Sequence, residues 1–236
     1  MPSTPARFDI YALIHKGLRA HLLHTLHAVG RCDWQDCADA RAVLAELDEL
    51  LAFCRAHIEH EDAVVHPALE RRRPGSAEHS AAEHRRHQQA MDELGALAEQ
   101  VAHLPALRRG EFVHPLYRRL ACFVAENLEH MEQEERDNNR LLWETHSDDE
   151  LIALEQQIVA SIGPDEMQRT LHWMLPALTP QERAAFLVEF RQQAPLELFA
   201  ATLERLCMQL SPKHQAHLDA ALGLTRAVEP ARRLYP

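Results

Sequence analysis

The sequence contains few of the residues that build sheets, and it has no long apolar run. Only 7 of its 236 residues are glycine, and β-branched residues are scarce beside Ala, Leu, Glu, Arg and Gln, a composition typical of helices joined by short turns. No apolar run approaches the roughly 20 residues that cross a bilayer, and residues 1–9 lack the apolar core of a secretory signal. The sequence therefore predicts an all-α protein, located in the cytoplasm, with no membrane association.

Positive charge and paired cysteines are also in short supply. There are 25 Lys and Arg against 36 Asp and Glu, a formal net charge of −11 with neutral histidines. Long-range attraction to nucleic acid is therefore not expected, and nucleic acid is excluded as a partner. The cysteines are odd in number and lie mostly in helical patterns, which favours reduced thiols over a disulfide framework: Cys32, Cys37, Cys54, Cys122 and Cys207.

Four long segments repeat apolar residues at intervals of three and four, which predicts four long amphipathic helices. These helices are expected at about 8–29, 38–67, 76–104 and 112–141. Pro67 is expected to kink or stop the second helix, and Ser76 to cap the third. Because amphipathic helices with short connections alternate in direction, an up-down-up-down four-helix bundle is the predicted topology.

Residues 147–236 are predicted to form a helical extension to a first domain that spans residues 1–146. Glycine and proline divide this extension into shorter segments, and helices are expected at 148–162, 165–175, 180–193, 195–210 and 212–222. An apolar face left over on these helices would indicate a homo-oligomer formed through the extension.

Histidine is abundant, with 17 residues, and imidazole both titrates near neutral pH and binds metals. Two of the long helices carry a His-x-x-x-Glu pair: His57 with Glu61, and His130 with Glu134. Residues four apart project from one helix face about one turn apart. Both pairs fall on the apolar stripe, so all four side chains are expected to point into the bundle.

The first and third helices each add a histidine to the apolar side, namely His15 and either His84 or His87. Counting about 1.5 Å per residue from the helix ends places these side chains at nearly one depth. Buried imidazoles and carboxylates without partners are costly, and a bound cation removes that cost. Two bridging carboxylates and four imidazoles predict two divalent transition-metal ions with open positions, and they favour iron or manganese over zinc or calcium.

Four segments resemble the motifs of the hemerythrin-like, HHE cation-binding family: Ile14–Arg19, His57–Asp62 with His66–Leu69, Glu83–Arg86, and His130–Glu135. The resemblance covers about residues 8–145 and implies a hemerythrin-like four-helix bundle. It also implies a non-heme centre of two iron ions, Fe2+ or Fe3+, joined by an oxo or hydroxo bridge, with manganese or zinc as substitutes. The implied ligands are His15, His57, Glu61, His84, His130 and Glu134.

One departure from the family bears on function. Oxygen-carrying hemerythrins use five terminal histidines with a His-x-x-x-His pair on the third helix, whereas this chain has Ser80 and Gln88 on either side of His84. Four histidines and two glutamates resemble instead the iron-centre repair proteins and the iron-sensing hemerythrin domain of an F-box ubiquitin-ligase subunit. The resemblance implies a protein that binds O2, NO or peroxide at an open iron position in sensing, storage or stress defence. The alternatives are an iron-dependent peroxide-reducing or oxidative enzyme, and an iron donor for the repair of iron-sulfur clusters.

Several neighbours of the predicted ligands have simpler interpretations. Tyr11 is expected to be a packed core residue rather than a hydrogen-bond donor to a bridging oxygen, and Asn127 is either a core amide or a partner of a ligand. His21, with His24 and His27, is expected to be solvated. In the acidic run after His130, only Glu134 has the register of a metal ligand.

Overall fold

The computed structural model describes residues 7–224, which form α-helices joined by short connections. In chain order the helices are α1 (Ala12–Arg31), α2 (Cys37–His60), α3 (His66–Arg72), α4 (Glu78–His103), α5 (Ala106–Gln133), α6 (Asn139–Thr145), α7 (Asp148–Ser161), α8 (Pro164–Ala177), α9 (Pro180–Gln193), α10 (Leu196–Gln209) and α11 (Pro212–Leu222). A first π-helical turn (Glu61–Val65) joins α2 to α3, and a second (Glu134–Asn138) joins α5 to α6. The all-α class is confirmed for the described residues, among which no helix has the length and apolar character needed to cross a bilayer.

The four long helices surround one apolar core. Helix α1 contacts α2 and α5, and α4 also contacts α2 and α5, so the four helices close a ring. The side chains between them are inaccessible to water, and the largest include Leu22, Leu47, Leu50, Met91, Leu94, Leu116, Leu120 and Phe123. Burial of each such side chain contributes about 1.5–3 kcal/mol. This core holds in place the helices that carry the predicted ligands.

Three helices begin at residues other than those predicted. Helix α1 begins at Ala12 rather than at residue 8, because the Asp9 carboxylate accepts hydrogen bonds from the next backbone N–H groups and turns the chain there. Ser76 does not cap α4, which begins at Glu78, and its buried hydroxyl has no hydrogen-bond partner. Helix α5 begins at Ala106, directly after a proline whose fixed φ suits a helix start.

The starts of the shorter helices agree more closely with the predictions, because most of them are fixed by side-chain caps. Ser147 accepts a hydrogen bond from the Glu150 N–H, and Thr179 accepts one from the Glu182 N–H. In both cases the glutamate accepts a hydrogen bond in return from the backbone of the capping residue. Ser211 caps α11 in the same way, by accepting from the His214 N–H.

Pro67 was predicted to kink or stop the second helix, and helical backbone continues past it to Arg72. The helix widens into the first π turn, where the His66 N–H donates to the Glu61 carbonyl, and Pro67 then sits at the start of α3, where its missing N–H is tolerated. In the second π turn the Asn139 N–H donates to the Glu134 carbonyl. Such insertions are rare and frequently lie at functional sites. Both begin at the glutamate of a His-x-x-x-Glu pair.

The chain divides into two compact units, Met1–Met174 and Leu175–Pro236. In the first unit, α7 contacts the first π turn. In the second unit, α9 contacts α10 and α11, and the buried guanidinium of Arg183 donates to the carbonyls of Leu175, Pro176 and Leu178. These bonds satisfy carbonyls at a helix end that have no partner within the helix. The domain boundary predicted after residue 146 stays a prediction.

We expect Gly17→Ala to destabilise the first unit, although alanine favours helices. A Cβ at Gly17 would lie 2.9 Å from the Met174 Cα and 3.0 Å from the Met174 nitrogen, so backbone must move, and overpacking of this kind costs about 1–3 kcal/mol. Gly95→Ala in α4 is the matched control, since nothing lies within 4 Å of its Cβ, and it should gain about 0.5–1 kcal/mol. Urea unfolding measures both changes, and equal stability of the two variants would contradict the prediction.

Candidate metal centre

The six side chains predicted as ligands meet in the interior of the bundle. They form two groups that share both glutamates: His15, His57, Glu61 and Glu134, and then Glu61, His84, His130 and Glu134. Within each group the ligand atoms lie within 4.8 Å of one another. Five of the six residues are buried, and His57 has only 11% of its side chain exposed. Their role as metal ligands stays a prediction, and we refer to the six together as the metal centre.

Each glutamate directs its two oxygens toward two different pairs of histidines. Glu61 Oε1 lies 3.2 Å from His57 Nε2 and 3.8 Å from His15 Nε2, while its Oε2 lies 3.3 Å from His84 Nε2. Glu134 Oε2 lies 3.6 Å from His15 Nε2, while its Oε1 lies 3.3 Å from His130 Nε2. This is the arrangement of two carboxylates that bridge two positions, each of which faces two imidazoles.

His84, and not His87, belongs to the metal centre. His84 Nε2 lies 3.1 Å from His130 Nε2, on the side of the carboxylates. His87 is also buried, but its ring lies edge-on to the His130 ring at 4.9 Å, and its Nδ1 has no hydrogen-bond partner. Burial, together with the neighbouring His130 and His84, lowers the pKa of His87 to about 3. His87 is therefore a neutral neighbour of the metal centre.

Three of the four imidazoles have their outer nitrogen on a carboxylate that surrounds the metal centre. The distances from Nδ1 to the carboxylate oxygen are 2.9 Å for His15 with Glu135, 2.7 Å for His84 with Asp62, and 2.8 Å for His130 with Glu83. A carboxylate on Nδ1 holds the proton there and fixes the ring orientation. The Nε2 atom is thereby directed toward Glu61 and Glu134.

The environment of the metal centre acts in opposite directions on its imidazoles: it favours the charged form of His84 and His15, whereas burial lowers the pKa of His57 to about 3. Burial disfavours the charged form of His84, but the hydrogen bond to Asp62 and the negative charges of the buried glutamates outweigh burial and raise its pKa to about 11. The same balance, with Glu135 and Glu61 as partners, raises the pKa of His15 to about 9. Burial opposes ionisation of Glu61, but the neighbouring imidazoles hold the pKa of this carboxyl well below its usual range. The metal centre therefore attracts cations.

The atoms that face the middle of the metal centre are buried and have no hydrogen-bond partner. They are both carboxylate oxygens of Glu61 and of Glu134, and Nε2 of His15 and of His57. Buried charges without partners are strongly destabilising, and a coordinated cation compensates them. With metal–ligand bonds of about 2.0–2.2 Å, adjacent ligand atoms lie about 3 Å apart, close to the observed separations. The residues present therefore fit a pair of metal ions.

The sequence did not reveal the surrounding carboxylates. Asp62 and Glu135 each follow a glutamate of the metal centre, a rotation of about 100° away from the apolar stripe. The acidic run that contains Glu135 was expected to be a solvated face apart from Glu134, and no role was predicted for Asp62. Glu135 is indeed out of register as a ligand, but it reaches the outer nitrogen of His15. Asn127 is a core amide, donating to the Phe123 carbonyl at 2.8 Å. The acidic residues that flank the predicted ligands could have indicated these carboxylates, but their pattern is also that of a solvated helix face.

The prediction that His21 is solvated was wrong. Its ring is 0% exposed and stacks on Trp173 at 3.9 Å, with 10° between the ring planes. His21 Nε2 lies 2.8 Å from Glu46 Oε1, and its Nδ1 is buried without a hydrogen-bond partner. Trp173 belongs to helix α8, and no sequence pattern within α1 predicts that a tryptophan covers His21. His24 and His27 are exposed, as predicted.

We expect His21 to reduce stability in mild acid. Burial lowers the pKa of His21 despite its hydrogen bond to Glu46, so below about pH 6.5 the unfolded chain binds a proton that the folded chain does not. The free energy of unfolding should therefore decrease as the pH is lowered. His21→Gln keeps a donor for Glu46 and does not titrate, so it should lose less stability between about pH 7 and pH 5. Identical pH dependence in urea unfolding would contradict this prediction.

Tyr11 lies beside the metal centre with an unused hydroxyl. The residue is 1% exposed, its ring lies 5.1 Å from the His15 ring, and its hydroxyl has no hydrogen-bond partner. Burial, with the nearby Glu134 and Glu61, raises the pKa of Tyr11 well above its usual value. The hydroxyl therefore keeps its proton and is a donor without an acceptor.

Comparison with known proteins gives one match. A family model described as the hemerythrin HHE cation binding domain matches residues 8–142. This span contains all six residues of the metal centre and the carboxylates that surround it. Neither the curated proteins nor the solved structures include a match to this chain.

Proposed function

We propose, on the premise that this chain belongs to the hemerythrin HHE cation-binding domain family, that it holds two iron ions and binds a small ligand at them. Cation binding is the property that this family is named for. The identity of the metal, the number of ions and the nature of the ligand are inferred from the side chains of the metal centre.

The observation that carries the proposal is the division of each glutamate between two pairs of histidines. Glu61 and Glu134 each direct one oxygen toward each pair, and all four oxygens are buried without a hydrogen-bond partner. We assign His15 and His57 to one ion, and His84 and His130 to the other. Each ion then has two imidazoles and two carboxylate oxygens.

The donor set favours iron. Two imidazoles with carboxylates and open positions are typical of non-heme iron, whereas structural zinc takes a closed tetrahedral set and calcium takes oxygens. When bound, iron supplies a Lewis acid and a reversible one-electron couple to a ligand at the open positions. Manganese has similar donor preferences and is the expected substitute.

We infer that the long helices α1, α2, α4 and α5 alternate in direction as an up-down-up-down bundle. They close a ring of contacts between sequence neighbours, and their connections are short, which favours antiparallel neighbours. Alternation brings the second half of one helix beside the first half of the next. It accounts for ligands that lie at different distances from their helix starts yet meet at one depth.

The surrounding residues of the chain control protons at the metal centre. Asp62, Glu83 and Glu135 hold a proton at the Nδ1 of their histidine partners, and Tyr11 holds one on its own hydroxyl. We propose that the Tyr11 hydroxyl donates a hydrogen bond to the small ligand, since its proton has no acceptor within the protein and its ring lies beside the His15 ring. The apolar core below excludes water from this ligand.

The ligand is O2, NO or peroxide, and the role is sensing, storage or stress defence rather than reversible oxygen carriage. At the position where oxygen carriers have a further histidine, this chain has Ser80, whose buried hydroxyl accepts a hydrogen bond from Asn138 at 3.1 Å. We place this role in the cytoplasm. Homo-oligomerisation through the helices of residues 147–236 stays a prediction for sedimentation to test.

The test is the metal content and optical spectrum of the protein after expression with ample iron. We expect about two irons per chain, loss of iron in His57→Ala, and no loss in His24→Ala, which changes an exposed histidine of α1. A spectral change on addition of NO or O2 without turnover supports ligand binding. Sustained turnover of peroxide with a reductant would instead indicate the enzymatic function. Transfer of iron to an apo cluster protein would instead indicate a role as an iron donor. A stable protein that purifies without metal would refute the proposal.

Tyr11→Phe should weaken binding of NO to the iron-loaded protein by about three- to tenfold, the effect of one lost hydrogen bond. The metal content should not change, because the hydroxyl contacts none of the proposed ligand atoms. Tyr117→Phe, a change in a partly exposed tyrosine of α5, is the matched control. Equal NO affinity of Tyr11→Phe and the unchanged protein would show that Tyr11 only fills the core.

A further inference from the structure

A second cluster of ligand atoms lies on the outer side of His84. Asp62, His66 and His84 each offer one atom, and these atoms lie within 4.8 Å of one another. Asp62 Oδ1 is 2.7 Å from His84 Nδ1 and 2.9 Å from His66 Nδ1. The Asp62 side chain is 41% exposed, whereas both histidines are buried. The cluster therefore connects solvent to a ring whose other nitrogen faces the metal centre.

We propose that Asp62, His66 and His84, together the outer site, bind a divalent transition-metal ion on its way from solvent to the metal centre. The proposal rests on the proposed function, because the metal centre is the destination of the ion. One carboxylate and two imidazoles are a common donor set for such ions. The exposed carboxylate makes first contact with the ion, and the buried imidazoles complete the set.

Within residues 7–224, the His66 side chain has one hydrogen-bond partner, Asp62. Its Nδ1 bonds to Asp62, and its Nε2 is buried without a hydrogen-bond partner. Its ring lies nearly parallel to the His84 ring, at 4.8 Å and 20°. Burying an imidazole with half of its hydrogen-bonding capacity unused is unfavourable, and an aliphatic side chain would fill this position without that cost. The arrangement is explained if the ring is there to bind an ion.

The corresponding position on the other His-x-x-x-Glu helix is built differently. There Glu135 takes the place of Asp62, and its Oε1 accepts hydrogen bonds from His15 Nδ1 at 2.9 Å and from Arg19 at 2.6 Å. A guanidinium is permanently charged and repels a second cation. On the Asp62 side the corresponding donor is an imidazole, which gives up its proton to a metal. The carboxylates of Asp62 and Glu135 are therefore not equivalent, and of these two only Asp62 suits a metal ion.

His84 serves the outer site and the metal centre in turn. A neutral imidazole carries one proton, so an ion on Nδ1 leaves the proton on Nε2. When Nε2 binds an ion in the metal centre, the proton resides on Nδ1 and is donated to Asp62. Occupation of the metal centre thus removes His84 from the outer site. We therefore expect the loaded protein to hold two ions and not three.

The test is the rate at which metal-free protein takes up Co2+, followed by the visible absorption of the bound ion after rapid mixing. Prior binding at the outer site predicts that the rate reaches a plateau as Co2+ increases. His66→Asn keeps a donor for Asp62 and copies Asn139, its counterpart on the other helix. We expect this variant to load at least about tenfold more slowly, without a plateau, and to reach the same final metal content. His103→Asn, a change in an exposed histidine at the far end of α4, is the control and should load at the normal rate.

Each outcome separates this inference from the function on which it rests. Loading of His66→Asn at the normal rate would overturn the outer site and leave the metal centre intact. A lower final metal content in that variant would also overturn it, because His66 would then support the metal centre itself. Failure of the unchanged protein to take up any metal would refute the proposed function instead. Circular dichroism checks the fold of each variant. If His66→Asn does not fold, His66→Gln is used in its place.

Discussion

Glu61→Gln and Glu134→Gln are each expected to lose both ions, not one. Each glutamate directs one oxygen toward each pair of histidines, so removal of either negative charge weakens both positions together. Even residues that only orient a ligand change metal affinity by about 10–100-fold when they are mutated, and loss of a bridging carboxylate should exceed that range. Metal analysis of the purified variants, with circular dichroism to confirm folding, measures the effect.

The matched control is Glu59→Gln, which removes the same charge from an exposed residue of the same helix two positions away. This variant should retain its full metal content. A stoichiometry of one ion per chain in either bridging variant would show that the two positions are independent. In that case the glutamates are terminal ligands, and the assignment of shared bridges is wrong.

Removal of the metal should destabilise the protein strongly. Without a cation, the carboxylates of Glu61 and Glu134 are buried with no hydrogen-bond partner on any oxygen, and desolvation costs several kcal/mol for each buried ion. With free metal at about 1,000 times the dissociation constant, binding adds about 4 kcal/mol to the free energy of unfolding. For a unit of this size that corresponds to about 8–16 °C in Tm.

Thermal unfolding with and without a strong chelator measures this stabilisation. The double variant with Glu61→Gln and Glu134→Gln provides the control, because a protein that binds no metal should have the same Tm in both conditions. The amides also remove the buried charge, so the double variant should be more stable than the unchanged protein in chelator. If chelator leaves the Tm of the iron-loaded protein unchanged, cation binding does not stabilise the fold, and the interpretation of the unpartnered oxygens fails.

The convergence of the six side chains could be predicted because it depends on rigid repeats alone. A His-x-x-x-Glu pair places both side chains on one helix face whatever surrounds the helix, and the rise per residue fixes their depth. The choice between His84 and His87 lay beyond that argument, since both fall on the apolar side. The structure separates them by distance, with the His84 Nε2 near the glutamates and the His87 ring beside His130.

The features that were missed depend on contacts between distant segments. His21 is buried because Trp173, in α8, covers it, and nothing in α1 records that contact. Asp62 and Glu135 lie off the apolar stripe, but carboxylates on flexible stems can reach around a helix to a neighbouring ring. Pro67 was interpreted as a kink or a stop because the π turn before it has no sequence signature that a periodicity argument would detect. That turn leaves the proline at the start of a new helical segment.

The two π turns also restrict how this sequence can vary in length. Each turn inserts one residue, so every side chain beyond it is rotated by about 100° relative to a regular helix. With this rotation Leu69 and Leu142 are buried in the core above the metal centre. Deletion of one residue of the first turn, such as the exposed Ala63, would remove this insertion and leave a regular helix, in which Leu69 keeps the same face because the lost residue offsets the rotation. Related chains should therefore tolerate a gap of one residue within either turn, whereas a gap of one residue elsewhere in these helices would rotate the core side chains toward water.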